Sequence, residues 1–267
     1  MVSKKIFFYE ELNLHFLNSF VELSNGLQAE IKKNWKQQII LGKKYTNGEL
    51  FSIDEINIES GLINIFTKKT TYDHYLYSAK NKLTGSSACR SIAANILPIT
   101  NDGYYVLCTM SDHTSLPNKI KFIGGALSDA DILLKEISPR KGIERESLEE
   151  IGLDLNDIEL VANIYPHYLI IRDNLSFLNI FFLVDLNLSS HDLAQIFENH
   201  KTTLCKSNCE IELQNLLFLA KDDKTIREFA CNQNNVMIDY MEEVFQVLTG
   251  DLKVNNLKKE IMNGLGK

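Results

Sequence analysis

Three glutamates and an arginine, Arg145, Glu146, Glu149 and Glu150, stand in the run Arg145-Glu146-Ser147-Leu148-Glu149-Glu150-Ile151-Gly152-Leu153. On a helix, spacings of three and four put the carboxylates on neighbouring positions of one face, with Arg145 one turn before Glu149. Like charges so placed destabilise an isolated helix and call for compensation by cations. Hard divalent ions, Mg2+ or Mn2+, meet that demand because they take oxygen ligands and share them with substrate phosphates. A bare E-x-x-E-E is also what a solvated acidic face looks like, so the surrounding residues must decide.

Those residues mark a helix with definite ends. Ser138 is a good N-cap, Pro139 suits the first helical position, and Gly152 supplies a left-handed residue just past the end. The helix so bounded is about three and a half turns long.

With Gly124-Gly125 at its head, this stretch resembles the Nudix box, G-x5-E-x7-R-E-U-x-E-E-x-G-U, where U is a bulky aliphatic residue. Arg145, Glu146, Glu149, Glu150, Gly152 and Leu153 match position for position. The resemblance implies a Nudix-type α/β/α sandwich with a mixed sheet. It implies a hydrolase that cleaves a nucleoside diphosphate linked to another moiety. It further implies that Glu146, Glu149 and Glu150, with the Gly124 carbonyl, hold Mg2+ or Mn2+, that a glutamate serves as base for the attacking water, and that Arg145 orients the cluster by ion pairing.

The departures from the pattern are specific. Between Gly125 and Arg145 lie 19 residues where the pattern has 13, six more than expected. With the helix aligned from Pro139, the insertion falls between Gly125 and Ser138, and the first glutamate of the box falls on Ile137. Glu136, Asp129 and Asp131 are the acidic residues that could reach the same place through the longer loop. Ser147 stands where an aliphatic is usual, and Ile123 where a proline commonly precedes the two glycines.

Composition narrows the function class. A formal net charge of −7 argues against broad nucleic-acid binding, which needs a basic surface, but leaves room for a small anionic substrate at a metal. Five cysteines suit a reducing compartment, and Cys205-x3-Cys209 with His200 fits no standard zinc pattern. The N-terminal apolar run is too short for a secretory core, and the run Phe177 to Val184 cannot span a membrane. The expected setting is cytoplasmic, with no membrane partner.

The chain divides by pattern at residue 85. Residues 1–85 read as an N-terminal α+β extension: a strand at Lys5–Tyr9, a helix over Leu23–Ile40 with Trp35 as a core residue between Ile31 and Ile39, and strands at Leu50–Ile58 and Leu62–Thr67 joined through Ser60-Gly61. Residues 86–267 read as the Nudix domain with C-terminal helices. Its strands are Ser87–Thr100 and Tyr104–Met110, hinged at Asn101-Asp102-Gly103, then Leu160–Tyr168, the run after Asn174, and Leu216–Ala220. Helices are expected at His191–Asn199 capped by Ser190, at Thr225–Cys231, at Val236–Leu248 and over Lys253–Lys267.

Tyr72, Tyr75 and Tyr77 cluster around His74. They pack the extension against the main domain, or Tyr72 and Tyr75 line a substrate site where a ring stacks on a base. Thr70, Tyr72, Tyr75 and Leu76 resemble a run in the extension of Nudix UDP-sugar pyrophosphatases. The resemblance favours a nucleotide sugar or ADP-ribose as the small-molecule partner, ahead of a dinucleotide or a nucleoside triphosphate. Glu210 and Glu212 are candidates for a further ligand or the base, each also readable as a surface charge, and His113 and His167 are ambiguous in the same way. Two other classes stay open: a catalytically weak nucleotide-binding regulatory module, and a scaffold whose extension makes a protein contact or a homodimer.

Overall fold

The computed structural model describes residues 4–9, 11–43, 45–59, 62–172, 177–252 and 255–256. The expected turn at Ser60-Gly61 and most of the expected helix over Lys253–Lys267 lie outside the described residues; Asn255–Asn256 pair as a short strand with residues 7–8.

The centre of the molecule is a sheet apolar on both faces. Strands β1 (Lys4–Phe8), β2 (Glu11–Phe20), β3 (Glu49–Glu59), β4 (Leu62–Thr71), β5 (Ser91–Ile99), β6 (Tyr104–Met110), β7 (Ile120–Lys121) and β8 (Ile123–Ala126) precede the glutamate helix. β9 (Ile132–Leu133) and β10 (Glu136–Ile137) form a small hairpin before it, and β11 (Val161–Arg172), β12 (Phe177–Leu186) and β13 (Leu213–Ala220) follow. β1, β11 and β12 are antiparallel neighbours, β12 runs parallel to β5, and β8 lies antiparallel on the other side of β5. β5 and β6 meet only at Ile99 and Tyr105, then diverge, and β6 pairs with β13 and β7 instead. The sheet is therefore mixed and splayed.

Alternation along these strands builds two cores. Ile92, Ala94 and Ile96 of β5 and Leu178, Ile180 and Val184 of β12 face helices α3 (Pro139–Ile151) and α4 (Ser190–Lys206), meeting Ile143, Ile151, Leu193 and Phe197. Leu97 and Ile99 of β5 and Phe181 of β12 face helices α5 (Asp223–Cys231) and α6 (Met241–Leu248), meeting Ile226, Met241, Val244 and Phe245. Helices thus cover both faces, the α/β/α arrangement expected.

The first 85 residues add a second run of strands, β3–β4–β2, with β2 parallel to β4 and β3 antiparallel to it. Helices α1 (Asn25–Ile40) and α2 (Tyr72–Asn81) pack on each other, and α2 also packs on β4. Leu14, Phe51, Ile53, Ile63 and Ile65 belong to the same core as Ile143 and Leu193, while β1 sits on the far side of the sheet against β11.

Several local expectations need correction. Trp35 is half-buried in an aromatic group with Tyr45 and Tyr72, at 6.2 and 6.4 Å between centroids, and Ile39 is exposed; Ile31 and Asn34 are the buried residues of that helix. The cap of α4 is Ser189, which forms a capping box with Asp192, and the helix runs on to Lys206. Helix α6 starts at Met241 because Ile120 bridges Met237 and donates its backbone N–H to Val236, which holds that segment extended.

Candidate active site

Helix α3 begins and ends as its residues dictate. Ser138 accepts from the Lys141 N–H, Pro139 sits in the first turn, and Gly152 takes φ 72°. Ser147, which replaces an aliphatic residue, is fully buried and donates to the Leu153 carbonyl at 2.9 Å, tying down the exit of the helix. His200 on α4 bonds the Glu149 carbonyl at 2.8 Å, and a side chain at Gly152 would meet its ring.

Glu146, Glu149 and Glu150 line one cleft of about 380 Å3, together with Leu148, His200, Leu204, Glu210 and Glu212. The helix supplies one wall, and the segment leading into β13 supplies Glu210 and Glu212. Ser111 anchors that segment twice: its hydroxyl donates to the Ile211 carbonyl at 2.7 Å, and its backbone N–H donates to the Glu212 carbonyl at 2.8 Å. Both late glutamates therefore come to the site.

Arg145 is gripped from two sides. Asp131, with no exposed surface, takes its Nε and Nη2 on separate oxygens at 3.0 Å each, while Nη1 reaches Glu146 at 2.8 Å and Glu149 at 3.1 Å. A fork-to-fork pair of this kind fixes orientation as well as charge. Five residues separate Gly125 from Asp131, giving G-x5-D, so the box keeps its first spacing with aspartate in place of glutamate. The six extra residues are Ile132–Ile137, the β9–β10 hairpin. Ile137 is accordingly a buried core residue and no surrogate for the glutamate. Counting forward from Gly125 finds Asp131; counting back from Pro139 misses it. The two remaining acidic residues of the loop are engaged elsewhere: Asp129 pairs with Lys69 of β4, and Glu136 lies 3.8 Å from His15 of β2.

Gly124 and Gly125 are small for different reasons. Gly124 has φ 134°, and a Cβ there would lie 2.3 Å from the Ala94 carbonyl oxygen of the neighbouring strand. A Cβ at Gly125 would lie 2.5 Å from Glu146 Oε1, so that glycine makes room for the carboxylate. The Gly124 N–H donates to Glu150 Oε2 at 2.8 Å.

Burial first, and then the charge of Glu150, pushes the Glu146 carboxyl up to about 7 against the pull of Arg145 and Lys121. Glu212 is exposed by area yet crowded at the rim, where desolvation, then the charges of Glu150, Glu210 and Glu149, raise its carboxyl. His113 reaches Glu210 at 3.1 Å, and burial pushes His167 down to about 4, which keeps it neutral. Tyr72 and Tyr75 stack at 5.8 Å on α2; burial raises the Tyr72 hydroxyl, which bonds Ser115 and feels the charge of Glu212. Tyr72 thus faces the loop beside the cleft, with the Tyr75 ring stacked on it.

The donor set fits a divalent ion in one part and not in another. The carboxylates of Glu146 and Glu149 are hard oxygen donors, Glu149 60% exposed at its side chain and Glu146 14%. Between the Gly124 carbonyl and Glu150, however, stands the ammonium of Lys121, 2.7 Å from each. Among the described residues, no three His, Cys, Asp or Glu side chains converge as a ready metal-binding group. Lys121 is the site residue that sequence reasoning missed; its signal is a lysine three residues before the Gly-Gly pair, inside an otherwise apolar segment.

No family model matches the chain, and no curated protein matches it. Among solved structures it is similar to the MutT protein from Methanosarcina mazei Go1, at 12% identity over 60% of this chain and 94% of that one, with a TM-score of 0.34. It is similar to a Nudix hydrolase from Nitrosomonas europaea at 12% identity, over 63% and 93% of the two chains, with a TM-score of 0.34. A bifunctional NMN adenylyltransferase/ADP-ribose pyrophosphatase from Francisella tularensis, complexed with AMP and a Mn ion, gives 11% identity over 67% of this chain and 45% of that one, with a TM-score of 0.37.

Proposed function

We propose that this chain is a Nudix-type hydrolase of a phosphoanhydride bond in a small nucleoside diphosphate derivative, with a nucleotide sugar or ADP-ribose as the first choices. The observation that carries this is that Glu146, Glu149, Glu150 and Glu212 line one cleft, with Glu146 and Glu149 oriented by an arginine that Asp131 holds in place.

Each residue has a task. Arg145 holds Glu146 and Glu149 in register and neutralises part of their charge. Glu212 accepts the proton of the attacking water, and desolvation at the rim, which raises its carboxyl, makes it the stronger base. Mg2+ or Mn2+, held on Glu146 and Glu149, would lower the pKa of bound water and neutralise phosphoryl oxygens. Tyr72 and Tyr75 offer a stacked aromatic face for the base.

The test is product chromatography on UDP-sugars, ADP-ribose, dinucleotides and nucleoside triphosphates, with Mg2+, with Mn2+ and with EDTA. Cleavage of one class that EDTA abolishes is expected. A second reading, a nucleotide-binding module with weak turnover, is favoured by Lys121 standing between Gly124 and Glu150. Thermal stabilisation by a nucleotide without cleavage of any substrate would select it.

A further inference from the structure

We propose that Lys121 is a built-in cation of the cleft: its ammonium fills the seat between the Gly124 carbonyl and the Glu150 carboxylate, so that no divalent ion binds there. The atoms around that seat form a closed set. Glu150 offers one oxygen to the Gly124 N–H at 2.8 Å and the other to Lys121 Nζ at 2.7 Å, and the same Nζ donates to the Gly124 carbonyl at 2.7 Å. The side chains of Lys121 and Glu150 are 10% and 3% exposed, so neither charge is balanced by bulk water and each requires the other.

The position of Lys121 is fixed from its backbone outward. β7 pairs Lys121 with Cys108 of β6, and Cys108 donates its thiol to the Lys121 carbonyl at 3.4 Å. Gly124 in turn is locked by its close approach to Ala94 and Asn95. A divalent ion on the same two oxygens would stand at contact distance from the ammonium and be repelled by it, with little water to screen the charges. Lys121 thus supplies one unit of fixed positive charge behind the acidic helix, and exchangeable ions are confined to Glu146 and Glu149.

This inference rests on the hydrolase reading only for why the cleft needs positive charge, and counting bound ions tests it without turnover. The experiment is Mn2+ binding by the full chain, counted by electron paramagnetic resonance, for wild type, Lys121→Met and Glu150→Gln, with circular dichroism to confirm each fold. Lys121→Met opens the seat and is expected to bind one more Mn2+ per chain than wild type. Glu150→Gln is expected to leave the wild-type count unchanged, because that carboxylate holds a lysine and no ion. A folded Lys121→Met with the wild-type count, or a Glu150→Gln that loses an ion, overturns the proposal. Should Lys121→Met fail to fold, the Glu150→Gln count decides, since its amide oxygen still accepts a hydrogen bond. Inactivity on every substrate alongside the expected counts would overturn the hydrolase reading and leave Lys121 as the internal cation.

Discussion

Asp131 and Glu146 are two side chains on which the proposed chemistry of the helix turns. Asp131 is buried and spends both oxygens on Arg145, so Asp131→Ala strands a half-buried guanidinium. A destabilisation of about 3 kcal/mol is expected in urea unfolding, with a fall in kcat larger than any change in KM. Unchanged stability would mean that Glu146 and Glu149 suffice to hold Arg145. Glu146 carries a second prediction. Its carboxyl in the folded chain stands at about 7, above the ordinary glutamate value, so the folded state binds its proton more tightly than the unfolded state. That contribution to stability is complete below the unfolded pKa and is lost as pH rises through about 7. Glu146→Gln removes the effect. In EDTA the stability of wild type relative to Glu146→Gln is therefore expected to fall by about 1–3 kcal/mol between acid and neutral pH. A difference that stays flat, or rises, would contradict it.

Elements differ in how much of them the sequence discloses. Helix α3 is legible to its ends because caps act within a few residues: Ser138, Pro139 and Gly152 do what those residue types do in any chain. The hairpin β9–β10 is another matter. Leu134 and Lys135 at its turn have φ of 51° and 75°, which those residue types rarely adopt, and its partner is β2, where Ile137 faces Leu14 across more than a hundred residues of chain. No local signal specifies such a pairing, so the six residues read only as an insertion. Trp35 shows the same limit, since helical spacing places it on a face but not against a particular neighbour. The hairpin is open to direct test, because the Ser138 N–H already donates to the Asp131 carbonyl at 2.9 Å, joining its two ends. Deleting Ile132–Ile137 should leave a folded chain with the Asp131–Arg145 pair and most of the proposed activity. A lower melting temperature is also expected, from losing the buried Ile137 and the contact with β2. A folded deletion variant without activity would show that the hairpin carries part of the site.

At the scale of the whole molecule, the division at residue 85 is a proposal that truncation tests. Leu14, Phe51 and Ile65 share a core with Ile143 and Leu193, and β1 pairs with β11 of the central sheet, so residues 86–267 alone are expected to be aggregated or unfolded by circular dichroism. A soluble, cooperatively folding 86–267 would establish two separate units. The shared core also explains why an aromatic group built on residues 35–75 stands beside loop 111–119 and the cleft. The proposed hydrolysis depends on the carboxylates of α3, and comparing wild type with Glu149→Gln on UDP-sugars and ADP-ribose in Mg2+ or Mn2+ tests it. Glu149 is exposed at its side chain, so the variant keeps its fold. A loss of at least about 100-fold in kcat is expected, the scale for removing one group that stabilises developing charge. Equal rates for the two proteins, with the fold intact in both, would contradict the assignment of the site.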